Sequence, residues 1–433
     1  MAEWFERSGA GRFLNRLGSA PVRLLRAPAA GKVRIAARLL LHQWFLGGGT
    51  ALMLCVPHEH WNNLYGVLFA AAALILYWWD CAAADAPALD LSRMGPGMWL
   101  FLLMCLLSPL WSAFPGAGLR VAVFTAAGFV LCYVTAAAFR EEKSAGVLLD
   151  LLYTALILTS VYGLARHALG RDSYGVPIDG DVLGRLGSTL EHAINYSEFI
   201  AMALPLCLVR ALERRGSVRF VLLGLLALPC AALGLTYART GWIAAALAFI
   251  VLIWYWKKLL LIPAALAGGA GLFFLPESIQ SRLLSMLQFN DTGSSGRFTL
   301  WLECFSMLRQ YWLAGTGLGQ ENFYRAYEPY STHTLPFQPA HANMGYLVIW
   351  LSLGIVGFAA YLAFYFGIFP RLTGVVRKSS GRDRWRGAAL TASLAGAALA
   401  NVPEHLWFYP RVLWFWCVVY GLALAHVQTN KED

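Results

Sequence analysis

Residues 344–369, MGYLVIWLSLGIVGFAAYLAFYFGIF, run for 26 positions without a charged side chain. A helix of about 20 apolar residues is long enough to cross the hydrocarbon core of a bilayer. Similar stretches recur along the chain, which is 58% hydrophobic and 13% charged, whereas soluble domains carry about 25% charged residues. We therefore predict an all-α protein that crosses a membrane many times.

Hydropathy divides the chain into membrane spans and one long polar segment. Twelve spans are predicted near 39–57, 64–80, 98–113, 119–139, 147–168, 197–211, 219–237, 241–256, 259–275, 344–369, 387–403 and 411–427. The predicted regions are a basic arm at 1–38, nine spans within 39–275, a polar lobe at 276–345, three spans within 346–428 and a tail at 429–433. The span interiors are predicted to be almost free of charge, which favours an enzyme over a transporter, because transporters place ionisable groups near the membrane midplane.

The distribution of Lys and Arg predicts the orientation. A net charge of +10 in a soluble protein would indicate nucleic-acid binding, but membrane proteins concentrate Lys and Arg in their cytoplasmic connections. With the N-terminus inside, the inner connections collect the basic clusters near 210–219, 257–258 and 371–386. We predict that both termini are cytoplasmic, that the polar lobe lies outside, and that nucleic acid is not a partner.

The polar lobe is the predicted functional region, because long connections within a packed protein usually carry function. Residues 296–310 have a helical pattern that places apolar side chains on one face, namely Phe298, Trp301, Leu302, Phe305 and Leu308. Four outer segments are predicted to meet over a common cavity. They are 169–197, 238–240, 276–345 and 404–410.

Three of the arginines in these outer segments, which run against the usual charge bias, are candidates for anion binding. Arg239 is in the sharp turn Tyr237-Ala238-Arg239-Thr240-Gly241-Trp242, Arg297 follows Ser294-Ser295-Gly296, and Arg185 is in Gly184-Arg185-Leu186-Gly187. Each one taken alone also fits an interface or water-facing arginine. Together they favour a dianionic ligand such as a lipid diphosphate, because the planar guanidinium pairs with phosphate through two hydrogen bonds.

Histidine is the natural candidate for a base at neutral pH. His341, in Pro339-Ala340-His341-Ala342-Asn343, precedes a predicted span, although a hydrogen-bonded interface histidine fits the same position. His333 and His192 are the alternatives. The further candidates for substrate binding are Glu191, Asn195, Asn343 and Arg411.

No cofactor is predicted. The eight cysteines are scattered without a Cys-x-x-Cys pair, so they indicate buried apolar residues rather than a zinc site. Asp179-Gly180-Asp181 could hold a divalent metal that bridges a diphosphate, but the arginines could neutralise the same ligand without metal. Gly315-Thr316-Gly317-Leu318-Gly319 lacks the strand–helix unit of a dinucleotide site and is predicted to be a turn.

These motifs resemble the O-antigen ligase and polymerase superfamily of bacterial envelope enzymes over roughly residues 180–360. The resemblance rests on Arg239-Thr240-Gly241-Trp242, Ser295-Gly296-Arg297 with Trp301, the run from Gly315 to Phe323, and His341-Ala342-Asn343 before Gly354-Ile355-Val356-Gly357. Family members usually carry a histidine followed directly by a small polar residue, whereas Ala342 intervenes here. Either His341 or Asn343 therefore fits the family position, and His341 is chosen because only it can act as a base.

The resemblance implies a GT-C-like architecture and a glycan transfer. Such ligases move a glycan from undecaprenyl diphosphate to the lipid A–core oligosaccharide on the periplasmic face of the bacterial inner membrane. Arg239 and Arg297, with Arg185, would stabilise the leaving diphosphate. His341, held by Asn343 or Glu191, would orient or deprotonate the acceptor hydroxyl, and the anomeric centre would invert without metal or ATP.

Three alternatives stay open. An O-antigen polymerase would use the same donor, and a protein O-oligosaccharyltransferase would use a protein hydroxyl as acceptor. A transporter or lipid flippase would use the outer arginines to bind an anionic headgroup.

Overall fold

A computed structural model describes residues 5, 8–25, 42–83, 87–140, 142–171, 184–273, 276–284, 292–335 and 338–432. Regular structure within these ranges is helical, which confirms the predicted all-α fold. The helices are α1 (Gly9–Leu25), α2 (His42–Cys55), α3 (Asn63–Ala83), α4 (Pro96–Leu107), α5 (Pro115–Ala138), α6 (Glu142–Ala168), α7 (Ala193–Glu213), α8 (Gly216–Leu225), α9 (Ala227–Leu235), α10 (Arg239–Trp256), α11 (Leu261–Leu272), α12 (Glu277–Leu284), α13 (Thr292–Tyr311), α14 (Gln320–Tyr327), α15 (Gly345–Lys378), α16 (Gly381–Ala400) and α17 (Pro410–Glu432).

Every predicted span overlaps a helix. Among the described residues, eight helical segments are long and apolar enough to cross a membrane, and they are α3, α5, α6, α7, α8 with α9, α10, α15 and α17. The other predicted spans coincide with α2, α4, α11 and α16; the first three are short, at 14, 12 and 12 residues. The protein is therefore a multi-pass membrane protein, as predicted.

Small residues allow the spans to pack closely, as is usual where lipid supplies no hydrophobic driving force between helices. A Cβ atom added to Gly66 would lie 1.8 Å from the buried ring of Trp414 in α17. A Cβ at Gly241 in α10 would lie 2.3 Å from Ser197 in α7, and one at Gly396 in α16 would lie 2.8 Å from the Ala244 carbonyl. The last two contacts bring α7, α10 and α16 together beside the predicted outer loops.

Charged groups also occur inside the bundle. Arg210 of α7 donates to Asp150 of α6 at 2.7 Å and to Glu213 at 2.6 Å, and Arg386 of α16 donates to Glu213 at 2.6 Å. Glu198 of α7 is 2% exposed. Asp150, Arg210 and Glu198 lie close to the ends of the predicted spans 147–168 and 197–211, so they leave the prediction for the span interiors unchanged. Ion pairing explains how the bundle holds the first two of these groups.

The polar lobe is attached to the bundle through the predicted glycine turn. Gly315, Gly317 and Gly319 have positive φ values of 78°, 90° and 106°. The Thr316 N–H donates to the Leu351 carbonyl at 2.7 Å, and the Gly317 N–H donates to the Ser352 carbonyl at 2.9 Å. These bonds join the turn to a kink in α15 and confirm the prediction of a turn.

The helix predicted at 296–310 is present as α13, but three of the five residues of its predicted apolar face are exposed, whereas Leu308 packs against a buried cluster formed with α15. Phe298, Leu302 and Phe305 are 61%, 54% and 48% exposed. The buried apolar residues of α13 are Leu300, Cys304 and Met307. The lobe therefore presents an apolar outer surface.

Candidate functional site

Glu404 is the centre of the candidate site. It lies in the loop between α16 and α17, where its carboxylate accepts a hydrogen bond from Arg297 Nη2 at 2.5 Å. The Arg297 and Glu404 side chains are 32% and 9% exposed. The Gly345 N–H donates to the carbonyl oxygens of Glu404 and Asn401, at 2.7 and 2.9 Å. These bonds fasten the loop to the first turn of α15 and place the ion pair at the junction of lobe and bundle.

The segments that carry the three predicted arginines converge on this carboxylate. Thr240, the second residue of α10, donates to Glu404, and Arg185 interacts with Glu404 electrostatically. Arg185 Nε donates to the Thr236 carbonyl at 3.1 Å, in the turn that leads to Arg239. Arg239 is the first residue of α10, directly before Thr240. The structure therefore brings the segments of Arg185, Arg239 and Arg297 together around one acidic side chain.

The surroundings of Glu404 shift its pKa in opposing directions. Burial raises the pKa of Glu404, while Arg297, Arg185 and Thr240 act to lower it, and the pKa stays above its usual value. A carboxylate with a raised pKa accepts a proton more readily than one on the surface. The arginines nevertheless favour the charged form, because an opposite charge at this distance stabilises the carboxylate.

His341 lies beside this ion pair in an aromatic surround. Its ring centroid is 4.5 Å from that of Phe408 and 5.3 Å from that of His405. Burial and the charge of Arg297 lower the pKa of His341 to about 4, so the ring is neutral at pH 7. His341 Nδ1 accepts the Asn343 N–H at 3.1 Å, which places the ring proton on Nε2. In this arrangement His341 is a hydrogen-bond donor rather than a base.

We expect the stability of the protein to decrease as the pH falls from 6.5 towards 4. The unfolded chain protonates His341 near its ordinary pKa of 6.5, whereas the folded protein does so only near 4, so the unfolded state binds more protons in this window. Burial and the nearby His341 likewise lower the pKa of His405, which adds a change of the same sign. Melting temperatures measured across this pH range test the expectation.

The matched variants for this test are His341→Gln and His60→Gln. His341→Gln should flatten the pH dependence, whereas His60→Gln, at an exposed histidine, should keep the wild-type dependence. Equal slopes for wild type and His341→Gln would contradict the assignment of a buried, neutral His341.

Arg411 and Glu191 lie in a separate polar group on the same side of the bundle. Arg411 is 7% exposed. Its guanidinium carbon lies over the ring of Trp61, 5.5 Å from the ring centroid. Glu191 interacts electrostatically with Arg411 and His58. The guanidinium of Arg411 donates to three main-chain carbonyls, of Met53 at 3.4 Å, Val56 at 2.8 Å and Thr189 at 2.8 Å. These contacts join α2, α17 and the turn at Ser188–Leu190. Arg411 therefore has a structural role, because its hydrogen bonds hold these elements together.

The remaining predicted site residues lie at separate places in the structure. His192 is exposed directly before α7, with its ring 6.0 Å from that of Tyr409. Asn195 is buried and donates to the Leu190 carbonyl at 3.2 Å. His333 lies in the lobe, where it acts electrostatically on Glu303. Asn343 has a φ of 48°, and its carbonyl accepts a hydrogen bond from Trp301 at 3.3 Å. Asp179 and Asp181 lie outside the described residues.

Glu404 and His405 are the residues that sequence reasoning missed. The segment 404–410 is predicted to reach the outer cavity, but neither side chain is among the predicted site residues. The available signal was an acidic residue and a histidine in adjacent positions of the otherwise apolar run Val402-Pro403-Glu404-His405-Leu406-Trp407-Phe408. Charges in such a position need a partner or a function.

The fold and this site define a multi-pass, all-α membrane protein with a partly buried arginine–carboxylate pair where the polar lobe meets the bundle. The family model described as O-antigen ligase matches residues 222–362. This match to about a third of the chain supports an assignment to the O-antigen ligase family. It includes Arg239, Arg297 and His341, but not Arg185 or Glu404. It supports a function of the ligase or polymerase type, with polysaccharide and lipid substrates in general. No curated protein matches the chain.

Proposed function

We propose that the protein is an O-antigen ligase, which transfers a glycan from undecaprenyl diphosphate to the lipid A–core oligosaccharide. The reaction takes place at the periplasmic face of the bacterial inner membrane, and both termini are cytoplasmic. The observation that carries the proposal is the Arg297–Glu404 ion pair, at the point where the segments of Arg185 and Arg239 also meet. This arrangement supplies cationic groups for a diphosphate and a carboxylate for an acceptor hydroxyl within one site.

The arginines act on the leaving group. The bond between the anomeric carbon and the diphosphate oxygen breaks, and its electron pair leaves with the oxygen of the lipid diphosphate. Arg297 and Arg239, with Arg185, stabilise the negative charge where it develops, which is usually the largest contribution to such catalysis. Arginine suits this role because it keeps its charge at all relevant pH values and binds phosphate through two donors.

Glu404 and His341 act on the acceptor. The acceptor hydroxyl attacks the anomeric carbon from the side opposite the diphosphate, so the configuration inverts, and the hydroxyl proton passes to the Glu404 carboxylate. His341 donates from Nε2 to an oxygen of the glycan or the acceptor and orients it. Two features favour this division of roles over a histidine base, namely the pKa of His341 near 4 and the hydrogen bond already made to its Nδ1.

Glu404→Gln is expected to lower the rate of glycan transfer by at least about 10²-fold, the lower end of the usual contribution of general acid–base catalysis. Gln keeps the shape of the side chain but cannot take up the acceptor proton. Glu328→Gln is the matched control, since Glu328 also pairs with an arginine of the lobe, Arg325, but its side chain is 53% exposed. Transfer by Glu404→Gln at the rate of this control would contradict the assignment of the base.

The proposed activity is tested by mixing the purified protein with a polyprenyl diphosphate-linked glycan and lipid A–core. A product with the mass of glycan joined to lipid A–core is expected, and activity should survive EDTA because the donor itself supplies the driving force. A longer polyprenyl-linked glycan would instead identify a polymerase. A transporter is favoured by one observation, the buried Glu198 within a span, and it would move the lipid-linked glycan across vesicles without a new covalent product.

A further inference from the structure

A cavity of about 370 Å³ lies at the far end of α7 from the candidate site. Small-molecule sites usually enclose about 300–1,000 Å³. Near its start, α7 contacts α10 through Ser197, which faces Gly241, next to Thr240 of the candidate site. At its other end, Leu212 and Glu213 line the cavity. The 21 residues of α7 cover about 30 Å, roughly the thickness of the hydrocarbon core, so the cavity is separate from the Glu404 site.

The cavity is lined by arginines from two different parts of the chain. Arg215 directly precedes α8, Arg219 lies within α8, and Arg382 lies in the first turn of α16. These residues are more than 160 positions apart in the sequence, counted from Arg219 to Arg382, and the packing of the helices brings them to one cavity. Guanidinium groups that converge in this way favour an anionic ligand, above all a phosphate.

Glu213, the acidic residue among the described lining residues, is already paired. Its carboxylate accepts hydrogen bonds from Arg386 Nε and Arg210 Nη1, each at 2.6 Å, and its side chain is 5% exposed. Neither of these arginines lines this cavity. Arg215 and Arg219, by contrast, form no ion pair with an acidic side chain within the described ranges. The positive charge of the cavity is therefore available to a ligand.

The walls of the cavity are held in place by contacts of their own. Arg219 Nε donates to the Arg214 carbonyl at 2.8 Å, which orients the guanidinium and leaves its two terminal nitrogens as donors. On the other side, Trp256 of α10 and Trp385 of α16 pack nearly perpendicular to each other, with ring centroids 5.6 Å apart. Both tryptophans line the cavity, so the site is formed before a ligand arrives.

Exposed apolar side chains surround the arginines. Val218 and Phe220 flank Arg219 in α8, and Trp254 and Trp256 lie at the end of α10, and all four apolar side chains are exposed. In a membrane, lipid chains cover such side chains, and tryptophan concentrates at the level of the headgroups. A phospholipid can use both features, because its phosphate reaches the arginines while its acyl chains cover the apolar surface. A free phosphate would use the arginines alone.

We propose that this cavity binds the headgroup of an anionic membrane phospholipid. The phosphate contacts Arg215 and Arg219, and the acyl chains lie against the exposed apolar side chains of α8. Basic pockets between membrane helices suit such headgroups, because each cation near an anionic lipid surface adds to the attraction. A zwitterionic phospholipid carries its own cation and binds less tightly. The site takes no part in glycan transfer at Glu404, so its test does not depend on the proposed function.

The test measures the retention of radiolabelled phosphatidylglycerol by the purified full-length protein in a neutral detergent. Unlabelled phosphatidylglycerol should displace the label at a concentration about tenfold lower than phosphatidylcholine does, because phosphatidylcholine carries no net negative charge. Equal displacement by the two lipids would overturn the proposal. Displacement by inorganic phosphate at the concentration of the lipid would also overturn it, since the cavity would then bind a soluble anion.

Variants of the lining arginines locate the binding. Arg215→Gln/Arg219→Gln is expected to weaken the binding of phosphatidylglycerol about 25-fold, from about fivefold for each basic residue near an anionic surface. Arg377→Gln/Lys378→Gln is the matched control, since it removes two exposed basic residues at the end of α15, outside the cavity, and it should keep wild-type binding. Arg215→Gln alone changes an exposed residue and should lose about fivefold, which keeps the test decisive if the double variant does not fold. Equal binding by Arg215→Gln and the control would overturn the proposal.

Discussion

Arg297→Ala is expected to lower glycan transfer on the order of 10³-fold, the upper end of the loss found when one group that stabilises a developing charge is removed. The variant also leaves Glu404 buried without its closest cation, since the pair is 2.5 Å apart and Glu404 is 9% exposed. A buried charge that loses its partner shifts towards its neutral form, and a protonated Glu404 cannot act as a base. The measurement is the initial rate of product formation by the purified variant in lipid nanodiscs.

Two further variants separate charge from geometry in this test. Arg297→Lys keeps the charge but loses the planar fork, so we expect a rate between those of the wild type and Arg297→Ala. Arg325→Ala is the matched control, because this arginine belongs to the same lobe and its side chain is 71% exposed. We expect it to transfer glycan at the wild-type rate. Equal rates for Arg297→Ala and Arg325→Ala would contradict the proposal that Arg297 stabilises the leaving diphosphate.

Gly354→Ala is expected to prevent accumulation of folded protein. Gly354 has φ 67° and ψ −173° in the middle of α15, a conformation essentially limited to glycine, and another residue there costs about 1–3 kcal/mol. A Cβ atom would also lie 2.0 Å from the Leu313 carbonyl oxygen, and overpacking of this kind costs about 1–3 kcal/mol more. Together these costs take up a large part of the stability of an ordinary domain, about 5–15 kcal/mol. Fluorescence-detected size-exclusion of the expressed variant measures the effect.

Gly269→Ala is the control for this substitution. Gly269 lies within α11, and a Cβ atom there would have nothing within 4 Å. We expect the control to be produced at the wild-type level. A Gly354→Ala protein that elutes as a single peak with an unchanged melting temperature would show that the kink in α15 does not hold the glycine turn of the lobe.

The helices could be predicted from the sequence because lipid imposes a simple physical requirement. Every backbone polar group in the hydrocarbon core must bond within its own helix, so apolar length alone locates the spans, as 344–369 illustrates. The turn at Gly315–Gly319 was predictable for a similar local reason, since glycine tolerates the positive φ values found there. The arginines of the candidate site were identifiable because their charge interrupts a pattern that is otherwise apolar.

The pairing of charged groups was not predictable in this way. Asp150 and Arg210 are 60 residues apart, and Arg297 and Glu404 are 107 apart, so no local pattern connects them. The exposed face of α13 was misleading for a related reason, because periodicity reveals that an apolar face exists but not what covers it.

The amino-acid sequence by itself determined the membrane class, the order of the apolar helices along the chain and the presence of arginines and a histidine in the segments between them, because these depend on composition and local spacing. Only the tertiary structure decided that Arg297 pairs with Glu404, that the Asn343 N–H donates to His341 Nδ1, and that Glu198 is buried within α7. Hydrogen bonds and charge interactions act over a few ångströms, and the chain brings their partners within that distance only when the helices have packed.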